Sequence, residues 1–305
     1  KRQRQVLLAA RDQRPKPGRD DKVLADWNAM MISAITQAAM AFGRADWLQY
    51  SQTAFAAARK SLTDPQGHLR HSAREGQLLP VSLCSDYAFM GQAALALYQA
   101  NGDPQYLDYA QLCADTLHAE FYDDPADGGR GGYLTNRKKE AGDILVNNRP
   151  VQDNAMPSGN AAIYQLFTSL ASLTGQASYR AYGQDLFTAL AGHLSTQYTS
   201  MTALLVSRQL DENPLSIILI GKPKDPALVA LLETAHQHGV FSAHILAISP
   251  ETSLPLGHPA HGKTQVEGKP TAYVCSGQSC LAPLTSPQAL QEQLDALVSA
   301  RQTKG

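Results

Sequence analysis

The sequence predicts a mainly α-helical protein, an α/α toroid built from helix hairpins, with a small α/β unit at its C-terminal end. Three segments share one order of elements, a helix, a short turn on a glycine and a second helix, with turn glycines Gly43, Gly102 and Gly175. An aromatic residue follows each glycine by four positions, and a tyrosine follows it by seven. Repeated hairpins cannot bury their apolar faces alone and must stack on one another. A ring of stacked hairpins is therefore the expected architecture.

The predicted hairpins pair residues 22–42 with 46–62, 83–100 with 104–118, and 157–173 with 178–194. In each pair the first helix is poor in charge, and residues 27–43 carry none. The second helix is more polar, so the first helices are expected to form an inner ring and the second helices an outer one. A helix over residues 2–11 is interpreted as the tail of an earlier hairpin.

The chain of 305 residues exceeds one ordinary domain, and its pattern changes after the third hairpin. Short apolar runs at 217–221 and 243–248 flank a predicted helix at 226–238, a third strand is expected at 271–275, and a closing helix at 287–300. This β-α-β order predicts parallel strands. We therefore divide the chain into a toroid portion, residues 1–212, and an α/β unit, residues 213–305.

Two long connections follow the second helices of the first two hairpins. Residues 64–79 and 122–146 each contain glycines between short polar runs and are expected to form β-hairpins. The second connection includes a run of glycines at 128–132. Long loops inside a compact fold usually have a function, so these segments are expected to border a site.

Composition excludes several classes of protein. The net charge is −1, and no basic stripe is present, which argues against nucleic-acid binding. The uncharged stretch 154–179 is rich in polar residues and is interrupted by Pro157, which argues against a membrane span. No cofactor and no metal is predicted.

The four cysteines are oddly spaced, which favours a reducing, cytoplasmic setting. Cys275 and Cys280 match neither a zinc knuckle nor a CxxC redox motif, so a pair of reduced structural thiols is expected. A metal site that also uses His258 and His261 is the lesser alternative.

The repeat places polar and aromatic residues at equivalent positions near the starts of the three inner helices. In a toroid these positions surround one mouth of a central cavity, where aromatic faces and amides suit a saccharide ligand. The alternative is that the acids and serines cap helices while the aromatic rings fill the core. The predicted substrate-binding residues are Trp27, Asn28, Arg70, Tyr87, Ser158 and Asn160.

Asp86 and Asp153 are the predicted pair of catalytic carboxylates. Both precede or open inner helices, and glycosidic chemistry uses an acid and a base or nucleophile at a fixed separation. An N-cap role for each is the alternative. His71 and Arg149, in or beside the long loops, are weaker candidates for the same mouth.

Four ordered motifs carry a family resemblance: the run from Arg14 to Asn28, Asp86-Tyr87-Ala88-Phe89, Pro157-Ser158-Gly159-Asn160, and the run from Gly268 to Cys275. Together they resemble the C-terminal portion of the thioredoxin-domain-containing, spermatogenesis-associated-protein-20-like family. The resemblance implies a thioredoxin-like domain followed by a six-hairpin toroid, similar to N-acylglucosamine 2-epimerases and six-hairpin glycosidases. This chain would then hold an incomplete toroid and would have the thioredoxin-like domain as its partner.

Two hypotheses for function follow. The first is a carbohydrate-binding or carbohydrate-processing toroid, resembling a glycoside hydrolase or a sugar epimerase if it is an enzyme. No histidine occupies the repeat-equivalent positions, which argues against plain epimerase chemistry. The alternative is a non-catalytic interaction or redox-partner module, in which Cys275 or Cys280 exchanges disulfides with the thioredoxin-like domain.

Overall fold

A computed structural model describes residues 1–139, 144–212, 214–238, 243–277 and 279–302. After an exposed first helix, α1 (Arg2–Asp12), six helices form the three predicted hairpins. They are α2 (Ala25–Ala41) with α3 (Ala45–Leu62), α4 (Cys84–Asn101) with α5 (Pro104–Phe121), and α6 (Gly159–Thr174) with α7 (Ala177–Gln197). The predicted fold class, a mainly α protein with a portion of an α/α toroid, is confirmed.

The three turn glycines end the inner helices in the left-handed conformation. Their φ angles are 61° at Gly43, 71° at Gly102 and 73° at Gly175, a region that L side chains rarely adopt. The repeat seen in the sequence is thus a repeat of backbone geometry as well.

Burial separates an inner row of helices from an outer row. Thirteen of the eighteen residues of α4 are buried, but only seven of the eighteen in α5 and four of the twenty-one in α7. Neighbouring inner helices α2, α4 and α6 pack directly on one another, and each outer helix packs on its own inner partner. The charge-poor helices are inside because ionised side chains are costly to bury.

The repeated aromatic residues join one hairpin to the next. Tyr106 and Tyr109 of α5 pack edge-on against Phe55 of α3, with ring centroids 5.5 Å apart in both pairs. One repeat later, Tyr182 of α7 stacks on His118 of α5 at 3.6 Å. The equivalent Tyr50 of the first hairpin is 63% exposed. The aromatic signature therefore marks the contact between successive hairpins.

An eighth helix, α8 (Thr202–Glu212), was not expected from the sequence and packs on α6. The C-terminal unit then follows in the order β4 (Leu215–Ile220), α9 (Pro226–Gln237), β5 (Ala243–Ile248), β6 (Thr271–Ser276), β7 (Ser279–Cys280) and α10 (Pro287–Gln302). The sheet order is β5-β4-β6-β7. Strands β4 and β5 are parallel, as predicted, whereas β6 runs antiparallel to β4.

The first long connection forms the predicted β-hairpin. Strands β2 (Ser72–Arg74) and β3 (Gln77–Leu78) pair around the turn at Glu75 and Gly76, and β1 (Val23–Leu24) joins β2 on its other side. In the second connection, the described residues contain only isolated bridges, including one between Tyr122 and Tyr133. Residues 140–143 of that expected hairpin lie outside the described residues.

One apolar cluster runs through the hairpins and includes Ile218 and Leu246 of the C-terminal sheet. A second cluster contains residues of the C-terminal unit alone. The sheet thus packs on the helices, and the division into residues 1–212 and 213–305 stays a prediction. None of the described helices combines the length and the hydropathy needed to cross a membrane.

Candidate functional site

The starts of the three inner helices lie together, as the repeat register predicts. The Oγ atom of Ser85 on α4 lies 3.4 Å from Oδ2 of Asp26 on α2. At the start of α6, a Cβ atom on Gly159 would come within 2.7 Å of the Cys84 sulfur, so α4 and α6 are in close contact there. The first turns of α2, α4 and α6 therefore form one end of the bundle of inner helices.

A cluster of Asp26, His71 and Asp86 occupies this end. His71 Nδ1 lies 2.9 Å from Asp86 Oδ1. Donor atoms of all three side chains lie within 4.8 Å of one another, and this is the one such group of three or more potential metal ligands that the described residues contain. The cluster joins residues from α2, α4 and the loop before β2.

Local backbone structure places His71 against the helices. Its carbonyl oxygen accepts a hydrogen bond from the backbone N–H of Ala25, and its own N–H donates to the carbonyl of Val81. The pairing of β1 with β2 lies directly beside it, because Leu24 is opposite Ser72 and α2 begins at the next residue. The small sheet thus brings a loop histidine to the first turn of α2.

Asp86 serves two neighbours at once. Its Oδ2 accepts a hydrogen bond from the N–H of Leu83, which caps α4, while its Oδ1 is bonded to His71. The Asp86 side chain is fully buried, whereas 27% of the His71 side chain is exposed. His71 is therefore the member of the pair that solvent or a ligand can reach, and Asp86 supports it from behind.

Burial and hydrogen bonding shift the pKa values of both His71 and Asp86. The pKa of His71 is raised because its imidazole bonds to the Asp86 carboxylate, and the nearby charge of Asp26 acts in the same direction. Burial raises the pKa of Asp86, while the hydrogen bond from His71 offsets part of that rise. In the folded protein each of the two groups therefore holds a proton more tightly than it would in water.

The predicted residues Trp27 and Asn28 lie next to this cluster in sequence, on the first turn of α2. Trp27 is 59% exposed, and its backbone N–H donates to Asp26 Oδ1. The Asn28 amide donates to the carbonyl of Leu24 and is exposed. Trp27 offers an accessible aromatic face at this end of the helices.

Two other predicted binding residues, Tyr87 and Asn160, are buried in the interior. Tyr87 is 5% exposed, packs on Phe121, and accepts a hydrogen bond from the N–H of Leu69 through its hydroxyl. Asn160 is fully buried and bonds to both the N–H and the carbonyl of Tyr133. The expected stacking role of Tyr87 does not fit its buried ring, and the expected ligand role of Asn160 does not fit an amide that is already hydrogen-bonded to the backbone.

Ser158 and Arg70 also have local partners. Ser158 caps α6 by accepting from the N–H of Ala161, and it is 5% exposed. Arg70 forms an ion pair with the carboxylate of Asp64 at 2.7 Å. Arg149, a weaker candidate, donates to the carbonyls of Arg130 and Gly131 and holds the glycine-rich loop.

The hydrogen bonds of Asp153 join it to other residues than His71 and Asp86. Its Oδ1 accepts from the N–H of Ser158, and its Oδ2 accepts from the N–H of Ala203 and the hydroxyl of Thr202. These bonds tie the loop before α6 to the start of α8. Asp153 lines a cavity of about 400 Å³ there, and Asp86 is not among the residues that line it. The structure therefore assigns Asp153 a capping role; the pairing with Asp86 in catalysis stays a prediction.

The expectation of reduced thiols at Cys275 and Cys280 is wrong. The two residues are direct neighbours on the antiparallel strands β6 and β7 and form a disulfide. Spacing alone could not show this, because strand pairing brings them together. Cys84 and Cys113 remain buried thiols, and burial raises the pKa of each to about 12.

A larger cavity, of about 480 Å³, lies toward the other ends of the inner helices. Side chains from α2, α4, α6 and α8 line it, together with residues of α9 and β5. The sequence predicts a hollow at the helix starts, whereas this cavity lies toward the helix ends, where the C-terminal unit packs.

Fold and site together define a helix-hairpin protein of the α/α toroid class with a His–Asp pair at the inner-helix starts. No family model matches the chain. Among curated proteins, it is 25% identical to an uncharacterized protein of Caenorhabditis elegans over 95% of this chain and 40% of that one. It is also 25% identical to spermatogenesis-associated protein 20 of Mus musculus over 94% of this chain and 38% of that protein. The resemblance predicted from the four motifs is thereby confirmed, and the chain spans about two fifths of the length of these relatives.

Several solved structures are similar over part of the chain. The cellobiose 2-epimerase of Spirochaeta thermophila matches at 18% identity and a TM-score of 0.47, over 57% of this chain and 44% of that one. A glycoside hydrolase of family 105 from C. acetobutylicum matches at 14% identity and a TM-score of 0.45, over 65% and 60% of the two chains. These neighbours are carbohydrate-processing enzymes with partial overlap, and the fold assignment rests on the packing of the hairpins themselves.

Proposed function

We propose that this chain processes carbohydrate by acid–base chemistry at the inner-helix starts, with His71 as the proton-transferring group. The observation that carries the proposal is the 2.9 Å contact between the partly exposed His71 and the fully buried Asp86. A histidine bonded through Nδ1 to a buried carboxylate directs its Nε2 away from that carboxylate, toward a ligand. Asp86 is then a positioning residue, and Asp26 adds negative charge beside the pair.

The surroundings suit a hydroxylated substrate. Trp27 follows Asp26 on α2, and its exposed indole can stack on the C–H face of a sugar ring. The positive ends of the helix dipoles at these starts favour a developing negative charge on a substrate oxygen. Because its pKa is raised, His71 keeps a proton to a higher pH than an ordinary histidine does.

One histidine with a supporting carboxylate favours proton transfer at carbon or oxygen, as in isomerisation or epimerisation, over hydrolysis by two carboxylates. Hydrolysis would need Asp153 as the second acid, and both oxygens of Asp153 are bonded to the start of α8 or the loop before α6. The catalytic role predicted for Asp153 is therefore tested separately, with Asp153→Asn.

The test uses glucose, mannose, N-acetylglucosamine and cellobiose in D₂O, with proton NMR to follow exchange at C2 and cleavage of the glycosidic bond. We expect exchange with at least one sugar and a loss of about 10²–10⁴-fold in His71→Gln. Asp86→Asn should lower the rate and move its pH profile to lower pH, because His71 loses the carboxylate that raises its pKa. The matched control is His193→Gln, at a half-buried position of α7 outside the cluster. Equal rates in wild type and His71→Gln, or cleavage abolished by Asp153→Asn alone, would overturn the proposal.

A second candidate function is a redox-partner module for a thioredoxin-like domain, favoured by the Cys275–Cys280 disulfide. Cys280 is exposed and Cys275 is 4% exposed. A thiolate of a partner dithiol would attack the Cys280 sulfur and release Cys275 as a thiolate. The partner's second thiol would then break the mixed disulfide, which oxidises the partner and reduces this chain.

Trapping tests this candidate. A thioredoxin whose second active-site cysteine is replaced by serine should form a mixed disulfide with wild type and none with Cys280→Ser. Cys113→Ser is the control, because Cys113 is buried. This candidate function includes a cytoplasmic location, because the reducing cytoplasm would keep the Cys275–Cys280 pair reduced for part of the time. No adduct in wild type would exclude the candidate.

A further inference from the structure

The 480 Å³ cavity lies at a different level of the helices from the His71–Asp86 pair. Its first lining residue on α2 is Ser33, seven positions after Asp26. At a rise of about 1.5 Å per residue, that is roughly 10 Å along the helix axis. The cavity volume falls within the range of about 300–1,000 Å³ that is typical of small-molecule sites.

Neutral hydrogen-bonding groups dominate the polar part of the cavity lining. They come from three neighbouring inner helices and include Gln37, Gln92, Gln165, Ser169 and Ser172. Gln37 and Gln165 are exposed, so their amides are open to solvent or to a ligand. Each amide offers both donors and an acceptor, which matches ligands whose hydroxyl groups do the same.

A histidine of the C-terminal unit completes the lining. His236 of α9 lines the cavity, and its Nε2 atom is buried with no hydrogen-bond partner among the described residues. A buried polar atom without a partner is costly, so this nitrogen is a contact that a ligand or water would satisfy. Burial lowers the pKa of His236 to about 4, so the ring is neutral at pH 7.

Charge in the cavity is already paired. Asp211 is the one carboxylate among the described lining residues. Its Oδ2 accepts from the Tyr164 hydroxyl at 2.8 Å and lies 3.4 Å from Nη1 of Arg208. A charged ligand would lose its hydration without gaining an opposite charge, whereas a neutral one would not.

From this lining we infer that the cavity is a second ligand site, which binds an uncharged polyhydroxylated small molecule, a saccharide or polyol. The apolar part of the lining, such as Leu95 and Met40, faces the C–H surfaces of such a ligand. The inference is independent of the proposed chemistry at His71, because no residue of that cluster lines the cavity.

Binding is tested on the full chain by titration with glucose, sucrose and myo-inositol. The final concentration of each probe is 20 times the weakest Kd that the method can measure. Glucuronate and glucosamine are the charged comparators. We expect at least one neutral probe to bind and to shift the side-chain amide NMR signals of Gln37 and Gln165. Its Kd should rise tenfold or more in Gln37→Ala/Gln165→Ala, whose removed amides stabilise no other residue.

Two controls separate this site from others. Gln49→Ala, on the exposed surface of α3, should leave Kd unchanged, and so should Asp86→Asn. His236→Leu should weaken binding in the same way as the glutamine pair. The inference is overturned if no neutral probe binds, if the charged comparators bind equally well, or if the glutamine pair can be removed without a change in Kd. Loss of binding in Asp86→Asn alone would instead move the ligand to the His71 site.

Discussion

Gly175, at the end of the third inner helix, lies directly against the backbone of Gly257. A Cβ atom on Gly175 would come within 1.8 Å of the Gly257 carbonyl oxygen. The loop that precedes β6 therefore closes over the third hairpin turn, and the left-handed glycine is needed for space as well as for its φ of 73°.

Gly175→Ala is predicted to destabilise the protein far more than Gly102→Ala. Both glycines have nearly the same φ, so each substitution costs about 1–2 kcal/mol in backbone strain. At Gly102 the nearest atom to a new Cβ is 3.7 Å away, so no clash is added. Urea unfolding should show at least ~2 kcal/mol more loss for Gly175→Ala. Equal losses would mean that the loop does not pack on this turn.

Asn160→Ala is predicted to reduce stability and not just ligand affinity. The side chain forms hydrogen bonds with both backbone groups of Tyr133, and its loss leaves buried groups without partners. Thermal unfolding should show a loss of about 2–3 kcal/mol. Asn28→Ala, at the repeat-equivalent position but exposed, should change stability by less than about 0.5 kcal/mol. A stable Asn160→Ala protein that fails only in ligand binding would restore the original hypothesis for this residue.

Stability is predicted to fall as the pH rises through the folded-state pKa of His71. Because that pKa is raised, the folded protein holds the proton more tightly than the unfolded chain, so the stabilisation is fully present below the unfolded value of about 6.5. The raised pKa of Asp86 acts in the same direction at lower pH. Asp26 and Lys22 are the other charged groups that act on His71, and they oppose each other.

Urea unfolding between pH 5.5 and 8.5 measures this slope. It should flatten in Asp86→Asn, whatever that variant's absolute stability, and stay the same in His193→Gln. An NMR titration of His71 should show its pKa falling in Asp86→Asn. An unchanged slope and an unchanged His71 titration would show that the pair is not coupled.

Reduction of the Cys275–Cys280 disulfide is predicted to lower the free energy of unfolding by about 2 kcal/mol. The effect is modest because the disulfide closes only a short loop. Without reductant, iodoacetamide should label neither of these cysteines in the native protein. Cys84 and Cys113 should react only on unfolding, because both are buried and their thiols have raised pKa values. Rapid labelling of Cys280 without reductant would contradict the disulfide.

Of the three residues in the Asp26, His71 and Asp86 cluster, the sequence predicts one as catalytic. Asp86 was identified because the repeat register marks helix starts, and helix starts are set by local pattern. Its partners are harder to find from sequence: no pattern singles out Asp26, and His71 is only a weaker loop candidate. Only the pairing of β1 with β2 brings His71 beside two carboxylates that are distant in sequence.

Asp153 and Tyr87 show the converse. An acid before a helix and an aromatic on an inner helix fit a site and a structural role equally well in sequence. The structure adds what each polar atom contacts: the start of α8 for Asp153, and the N–H of Leu69 for Tyr87. α8 itself was missed because it lies outside the repeat.

The chain's own pattern determined which segments become helices, where glycines end them, and which helices turn inward, because these depend on backbone preference and on the cost of burying charge. The three-dimensional packing alone decided which histidine meets which carboxylate, that Cys275 and Cys280 join, and that the larger hollow lies at the far ends of the inner helices. Those contacts depend on how strands pair and how helices pack across dozens of residues. The separation of two residues along the chain does not give their distance in space.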